Sequence, residues 1–292
     1  MWPAPAGASL GECPLWSPDN GRLYWVDIDD RLIHRFDPSA GRDEQRQVPG
    51  RPGSLARTTD PSRLLLAVEN EAAWFDWETG GTTPWLRLES AGTGNRLNDG
   101  RTDAVGRFWV GSMYERAADR RFTGQLHRID PDGSVLTVRH NVGVANGLAF
   151  DPDLSRMYFA DTLHDMVWRY DYEPETGAAR NETPFIDFSD LPGRPDGACV
   201  DAEGGYWVAA VYGWAVLRFT PDGVLDRTIE LPVQAPTMPA FGGSDLRTLF
   251  VTSIGRGGSI ELSPDQHEAG GLFAIDTGVA GRVEPAFGFA GS

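Results

Sequence analysis

Residues 16–28 read WSPDNGRLYWVDI, a turn rich in Pro, Asp, Asn and Gly followed by an aromatic and β-branched run. The turn residues bend the backbone at little cost, whereas aromatic and β-branched residues favour strands. The stretch therefore predicts two strands joined by a tight turn. The same plan returns in TTDPSRLLLAVE from Thr58, TDAVGRFWVGSM from Thr102, FDPDLSRMYFADT from Phe150, VDAEGGYWVAAV from Val200 and FGGSDLRTLFVTS from Phe241.

The six copies are spaced by about 41 to 50 residues, which is the spacing of propeller blades. Segments with alternating apolar and polar residues lie between them, such as RLIHRFDPSAGR from Arg31 and GQLHRIDPDGSV from Gly124. Each predicts a half-buried antiparallel hairpin, which brings each blade to about four strands. The sequence thus predicts an all-β fold, a six-bladed β-propeller formed by residues 1–292 as a single domain. Ring closure is expected to join the chain ends.

Charge and composition narrow the class of partner. The chain of 292 residues carries 26 Lys and Arg against 42 Asp and Glu, a formal net charge of −16, which disfavours nucleic acid and anionic membranes. Cys13 and Cys199 cannot form a disulfide framework or a zinc site, and we interpret them as buried core residues. The start of the sequence lacks a secretory signal, and no apolar run could span a membrane. We expect a cytoplasmic protein that acts on a small molecule, and no protein partner is implied.

One position of each predicted innermost strand falls at the same level when the turns are aligned. Innermost propeller strands face a narrow channel, so these residues should converge on one axis. A wet channel tolerates any polar residue, but two carboxylates and two amides also form an oxygen cage that favours a cation or a shared proton. The positions are Glu12, Asn98, Asn146, Asp196 and Thr237, with Ser54 or Leu55 in the second blade.

Two arginines precede these positions by two residues, Arg96 before Asn98 and Arg194 before Asp196. Residues two apart on a strand point to the same side, so both arginines should lie at the mouth of the channel. Each could bind substrate there, or each could be a surface arginine that pairs with the carboxylates below.

Four stretches carry a resemblance that spans essentially the whole chain in order. GECPLW, RLNDGRTDAVGRFWVGSM, VANGLAFDPD and RPDGACVDAEGGYWVA resemble motifs of the senescence-marker-protein, regucalcin and gluconolactonase family. The resemblance implies a six-bladed propeller with one divalent metal ion in the channel. It implies that Glu12, Asn146 and Asp196 hold that ion. All-oxygen ligation is compatible with calcium, magnesium or manganese, and zinc or ferrous iron stay open.

The same resemblance assigns substrate contacts. It implies that Arg96 and Asn98 contact the substrate and that Asp99 completes their motif. Some family members use a Glu shortly after a Gly-Ser/Thr-Met sequence, but here GSMYER places Arg116 at that position, with Glu115 beside it. With Arg194, these arginines form a basic mouth that suits an anionic group on the substrate.

The activity implied by the resemblance is metal-dependent hydrolysis of a sugar lactone, with Asp196 as both ligand and general base. No G-x-S-x-G elbow is present, and the five histidines lack the spacing of a metal site or triad. Hydrolysis of another ester, such as an organophosphate or an aromatic lactone, is an alternative. A non-catalytic interaction propeller is a second one, since the fold alone does not choose.

Overall fold

The computed structural model describes residues 2–4, 7–151, 153, 155–255 and 262–288. They form β-strands and one short 3-10 helix, Ala117–Asp119, and no helix among them is long and apolar enough to cross a membrane. In chain order the strands are β1 Trp2–Ala4, β2 Gly11–Ser17, β3 Arg22–Asp27, β4 Leu32–Asp37, β5 Arg42–Gln47, β6 Pro52–Arg57, β7 Arg63–Val68, β8 Glu71–Asp76, β9 Thr82–Arg87, β10 Asn95–Thr102, β11 Phe108–Tyr114, β12 Gly124–Ile129, β13 Val135–Val142, β14 Ala145–Phe150, β15 Arg156–Asp161, β16 Met166–Glu173, β17 Ala178–Asp187, β18 Arg194–Val200, β19 Tyr206–Val211, β20 Ala215–Phe219, β21 Leu225–Glu230, β22 Pro236–Gly242, β23 Thr248–Ser253 and β24 Leu272–Asp276.

The strands form six antiparallel sheets of four, which confirms the predicted six-bladed β-propeller. Five blades use consecutive strands, β2–β5, β6–β9, β10–β13, β14–β17 and β18–β21, and the sixth combines β22–β24 with β1. The first strand of each run, from β2 to β22, is innermost, and each innermost strand contacts the next around the ring, with β22 returning to β2. We call the end of the channel where the innermost strands begin the upper end.

The ring is closed by strand pairing between the two ends of the chain. The β1 strand pairs antiparallel with β24, and its residues Trp2 and Ala4 lie opposite Ala274 and Leu272. The N-terminal strand therefore completes the last blade, as the sequence predicts, and its pairing protects an edge that would otherwise be open.

The repeated turn sequence has a direct structural reason in two blades. Asp103 accepts the indole N–H of Trp109 at 3.0 Å, and Asp201 accepts that of Trp207 at 2.7 Å. The other oxygen of each aspartate caps its own turn, since Asp201 Oδ1 accepts the backbone N–H of Gly205 at 2.8 Å. Both tryptophans are fully buried. Because truncating a buried Trp typically costs about 3–5 kcal/mol, these Asp–Trp pairs link each turn to the blade core.

The residues that follow β24 cross the lower end of the channel. We call residues 277–288 the C-terminal strap. Its backbone joins several blades, because Ala280 O accepts the N–H of Ala202 at 2.9 Å and Gly288 donates to Gly106 at 3.0 Å. Phe287 also donates to the carbonyl oxygen of Arg57 at 2.8 Å. The strap therefore covers the lower end and ties separate blades together.

Candidate functional site

The innermost strands share an irregularity near their upper ends. In β2, Glu12 pairs with Val26 and Leu15 pairs with Tyr24, so two residues oppose one. The same two-against-one bulge recurs in β10, β14, β18 and β22, and β6 gains one residue at the same place. A bulge re-aims the side chains around it. Glu12 and Asn146 are the residues directly before their bulges. The first residue of the bulge is instead Asn98, Asp196 or Thr237 in the other three strands. The positions aligned by sequence therefore fall into two sets that differ by one residue in register.

Glycines keep two of these bulges in place. Gly147 follows Asn146 with a φ of +58°, and a Cβ there would lie 2.5 Å from the Tyr206 hydroxyl. Gly197 follows Asp196, and a Cβ there would overlap the side chain of Met238. The Asn-Gly and Asp-Gly pairs of the sequence are therefore needed so that neighbouring innermost strands can approach at the site.

A chain of hydrogen bonds crosses the upper end from the third blade to the fifth. Arg96 Nη1 donates to Asn98 Oδ1 at 2.7 Å, and Asn98 Nδ2 donates to Asn146 Oδ1 at 3.0 Å. Asn146 Nδ2 in turn donates to Thr162 Oγ1 at 2.8 Å, which donates to the carbonyl oxygen of Pro195 at 2.8 Å. Because Asn98 and Thr162 hold its two ends, the orientation of the Asn146 amide is fixed.

Three buried carboxylates lie beside this chain: Glu12, Asp99 and Asp196. Burial, and then the repulsion of Asp196 and Asp99, raises the pKa of Glu12 well above its usual range. Burial and the charge of Asp99 raise the pKa of Asp196 in the same way, and burial raises the pKa of Asp99 to about 6. Burial also lowers the pKa of Arg96 to about 10, with Arg51 as the next cause. Carboxyl groups are thus concentrated where neither water nor the charge of Arg96 is sufficient to keep their pKa values in the usual range.

The other predicted contacts lie outside this cluster. Arg116 is 65% exposed at its side chain and pairs with Asp119 at 3.0 Å. Arg194 pairs with Asp165 at 3.4 Å. The Glu115 carboxylate pairs at 3.1 Å with Arg51, a residue that the sequence analysis did not select.

Arg51, Arg96 and Arg194 occupy equivalent positions, since each lies two residues before the irregularity of its own innermost strand. Three of the six blades therefore place a guanidinium group at this level. Arg51 is held by Glu69 at 2.9 Å as well as by Glu115. The sequence carries a signal for it, because the Arg-Pro pair of RPGS at Arg51 repeats in RPDG at Arg194. The sequence signal for Thr162 is weaker: this residue directly follows the tripeptide Phe159-Ala160-Asp161 at the end of its repeat.

The lower end of the channel has a different composition. Arg101 is buried, donates from Nη2 to the carbonyl oxygen of Ala198 at 2.6 Å, and pairs through Nη1 with Glu284 of the C-terminal strap. Burial opposes the charge of Arg101, but the carboxylates of Glu284 and Asp99 outweigh it and raise the pKa of the guanidinium. A cavity of about 110 Å³ lies beside this pair and is also lined by Thr102, Asp151, Cys199 and Arg282.

The donor set at the upper end is compatible with a divalent cation. Within the described residues no three His, Cys, Asp or Glu side chains group as metal ligands, so the third protein donor would be an amide oxygen. Glu12 and Asp196 supply two buried carboxylates that a cation would stabilise, and Asn146 supplies an amide of fixed orientation. Hard divalent cations prefer such oxygen ligands. A three-residue set also leaves positions open for water or substrate.

Fold and site together define a six-bladed propeller with an oxygen-rich site at the upper end of its channel. Residues 10–255 match the model of the SMP-30/gluconolactonase/LRE-like region. A pentonolactonase from Haloferax volcanii is 36% identical over 94% of this chain and 93% of its own length. A 6-deoxy-6-sulfogluconolactonase from Pseudomonas putida is 38% identical over 95% and 94%. The chain belongs to the SMP-30/gluconolactonase/LRE-like family.

A solved structure agrees with this assignment. A calcium-binding regucalcin from Agrobacterium tumefaciens superposes with a TM-score of 0.90 at 31% identity, covering 96% of this chain and 94% of that one. The family predicted from the sequence motifs is therefore confirmed, and it is a family that includes lactone-hydrolysing enzymes.

Proposed function

We propose that this protein is a lactonase that requires a divalent metal ion and opens a sugar lactone to the sugar acid. The observation that carries the proposal is the convergence of Glu12, Asp196 and Asn146 beside Arg96 and Asn98. Buried carboxylates with strongly perturbed pKa values cluster at functional sites. An interaction scaffold would gain nothing from them. The names of the two lactonase relatives give the reaction class.

In this proposal Glu12, Asn146 and Asp196 hold the ion. When bound, it would supply a Lewis acid for the lactone carbonyl and positive charge for the oxyanion of the tetrahedral intermediate. Asp196 takes the proton from the water that attacks the carbonyl carbon, since a carboxylate can act as general base. It returns the proton to the ring oxygen as the bond between that oxygen and the carbonyl carbon breaks, which leaves a hydroxyl group on the sugar acid. The identity of the ion stays open among calcium, magnesium, manganese, zinc and ferrous iron, and the calcium-binding regucalcin supports calcium as the first to test.

Arg96 and Asn98 position the lactone. Asn98 is held at both ends, by Arg96 and by Asn146, so its side chain is fixed before substrate arrives. Among the hydrogen bonds of the described residues, Arg96 uses only Nη1, which leaves its other N–H groups for a substrate oxygen. A pre-oriented donor loses little conformational entropy when it binds.

We also propose that the lactone carries an anionic group, which Arg194 contacts at the mouth. Support comes from the equivalent placement of Arg51, Arg96 and Arg194 around the site and from the sulfonated substrate in the name of one relative. Arginine binds carboxylate, sulfonate and phosphate groups through paired hydrogen bonds. The Asp165 partner of Arg194 offsets part of its charge, so we expect a moderate contribution.

The proposed function is tested by removing metal and adding calcium, magnesium, manganese, zinc or ferrous iron back singly. Acid release is measured with neutral and acidic aldonolactones, an aromatic lactone and an organophosphate ester. We expect aldonolactone turnover to vanish on chelation and to return with at least one ion. The same ion should raise the melting temperature, since a ligand at 100 times its Kd adds about 2.7 kcal/mol.

Glu12→Gln is the matched control, because it keeps the size of the side chain and removes one ligand charge. At ion concentrations that saturate the wild type, its turnover and its melting temperature should respond much less to the ion, because an amide oxygen ligates more weakly than a carboxylate. If the chelated and metal-replete wild type melt together and no ion binds, the metal proposal is wrong. If the organophosphate ester alone were hydrolysed, the protein would be a hydrolase of a different class of ester and not a sugar lactonase.

A further inference from the structure

The hairpin tip between β19 and β20 has an unusual backbone. Tyr212 has a φ of +68° and Trp214 a φ of +60°, with Gly213 between them. This left-handed region suits Gly, Asn and Asp, whereas a bulky side chain there is a genuine outlier. Two aromatic residues at such positions in one three-residue tip indicate that the surroundings hold a conformation that local preference opposes.

Contacts on three sides make the tip rigid. Gly213 donates to the carbonyl oxygen of Ala210 at 2.8 Å, and Trp214 donates to that of Gln234 at 3.2 Å. A Cβ on Gly213 would lie 2.6 Å from the carbonyl oxygen of Pro192. The tip therefore packs on residues 191–193, the segment that leads directly into Arg194 and Asp196.

Tyr212 and Trp214 are also exposed, at 37% and 39%. Among the described residues, the other large apolar side chains with comparable exposure are aliphatic: Val135, Leu136, Val224, Leu225 and Val283. A rigid tip that keeps two aromatic rings in solvent, although the core would stabilise them by burial, is typical of a binding surface.

Strand register places Tyr212 at the mouth of the site. Val211 lies opposite Arg194 and Ala210 opposite Pro195, so Tyr212 continues β19 just above the level of Arg194. The pKa of the Tyr212 phenol is raised by burial and then by the charge of Asp196, with Arg194 acting in the opposite direction. The phenol therefore lies within the electrostatic field of both residues.

The site described so far binds only with polar groups. A lactone ring carries C–H bonds on its faces, and small-molecule sites normally pair a few polar groups with apolar or aromatic walls. Apolar side chains close to the site, such as Cys13, Val211 and Met238, are buried in the core. An exposed aromatic ring held rigidly at the mouth supplies what the polar cluster lacks, because a rigid ring loses little entropy on binding.

We infer that Tyr212 is a specificity-determining residue that contacts the face of the substrate ring through its own aromatic ring and positions the lactone over Asp196. This inference rests on the proposed lactonase function. Trp214 leads into β20, which lies one strand farther from the channel than β19, so we do not include it in the contact. Lactones whose ring faces present C–H groups would be favoured over open-chain esters of similar polarity.

The test uses metal-loaded enzyme, with glucono-1,5-lactone as substrate and gluconate as the binding probe. Tyr212→Asn removes the ring and keeps a residue that tolerates the left-handed backbone, so the fold is retained. We expect it to raise KM about tenfold with kcat nearly unchanged, the pattern of lost uniform binding. Tyr212→Phe should restore KM, and Trp214→Ala should leave KM near the wild-type value. Gluconate has no ring, so calorimetry should show it binding to wild type and to Tyr212→Asn with the same affinity.

The outcomes separate the two proposals. Wild-type turnover with an unchanged KM in Tyr212→Asn overturns the inference and leaves the lactonase proposal intact. An equal rise of KM in Trp214→Ala also overturns it, because the backbone of the tip would then be the cause. A wild type that neither binds gluconate nor hydrolyses any aldonolactone overturns the proposed function, and with it this inference.

Discussion

The two ends of the channel bury similar charged groups and treat them in opposite ways. At the lower end, Arg101 is paired with Glu284, and the pair is covered by the C-terminal strap. At the upper end, Glu12 and Asp196 repel each other and Asp99, and Arg96 is the buried cation that faces them. A buried charge with its own partner is a structural element, whereas one without enough compensation is retained against a stability cost. The difference in charge compensation therefore indicates that the lower end closes the channel, whereas the upper end is the candidate functional site.

The largest effect expected concerns the upper end. Asp196→Asn keeps an amide oxygen that can ligate but cannot accept the proton, so turnover should fall by roughly 10² to 10⁴. Weak metal binding should persist, whereas Asp196→Ala should lose both. The measurements are kcat on an aldonolactone and metal content after dialysis. An Asn variant with near wild-type kcat would restrict Asp196 to ligation.

The next effect concerns the lower end and should appear in stability rather than turnover. Glu284→Gln removes the carboxylate that pairs directly with the buried guanidinium of Arg101, and breaking a buried ion pair typically costs about 3 kcal/mol or more. Glu203→Gln is the matched control, because Glu203 also pairs with a buried arginine, Arg218, but is 66% exposed at its side chain. It should change the free energy of unfolding by no more than about 1 kcal/mol.

Urea unfolding measures both variants, and kcat of the folded enzyme should stay unchanged in each. If Glu284→Gln abolished turnover while the free energy of unfolding held, the two ends would be functionally linked and the contrast between them would fail.

A third effect lies in the pH dependence of metal-free protein. Burial raises the folded pKa of Asp99 from 3.8 to about 6, so the native state holds its proton more tightly than the unfolded chain. The contribution of Asp99 to the free energy of unfolding therefore falls as pH rises from about 4 to 6. In Asp99→Asn that fall should be absent, a difference on the order of 2 kcal/mol across this window.

Asp37→Asn supplies a control of opposite sign. The hydroxyl of Ser39 lowers the pKa of Asp37, so its stabilisation is present above the usual carboxylate range and is lost as pH falls. Comparing urea unfolding of each variant with wild type, between pH 4 and 6 for Asp99→Asn and below about pH 4 for Asp37→Asn, separates the two slopes. If the free energy of unfolding depended on pH in the same way in Asp99→Asn and wild type, Asp99 would be ionised in the folded protein without loss of stability.

The smallest effect concerns the rim of the upper end. Arg194→Ala should reduce the preference for an acidic over a neutral aldonolactone by about tenfold, since a charged hydrogen bond contributes about 1.5 kcal/mol at the lower limit. The measurement is kcat/KM for both lactones, with Arg116→Ala as the exposed control. Equal losses on both substrates would assign Arg194 to holding the site, and a wild type indifferent to substrate charge would remove the anionic proposal.

The fold was predictable because its cause is local and repeated. The aspartate that caps its own turn and binds the following tryptophan, as Asp103 does for Trp109, leaves a sequence signature at blade spacing. Residues of the upper end share this advantage, since Glu12, Asn98, Asn146 and Asp196 occupy related positions of repeated strands. A repeat that specifies the backbone also specifies which side chains meet on its axis.

Other features depend on contacts that no repeat encodes. Arg101 and Glu284 are 183 residues apart, and the strap that carries Glu284 has no strand pattern. The one-residue offset at the bulges arises from strand pairing, which turn alignment cannot resolve. Tyr212 follows a repeated strand, but its exposure depends on the left-handed backbone of the tip, where the sequence would favour Gly or Asn.

The recurrent bulge affects how the residues that line the channel can be substituted during evolution. Because each innermost strand widens at the same level, a substitution at a position that already carries a side chain alters the chemistry of the channel without requiring a new backbone. Thr237 fills its position in the sixth blade by donating to the carbonyl oxygen of Gly11, and Gly53 leaves the second blade without a side chain at its added residue. New reactivity can therefore arise by exchange of one side chain in one blade, while the other five preserve the frame that aligns it.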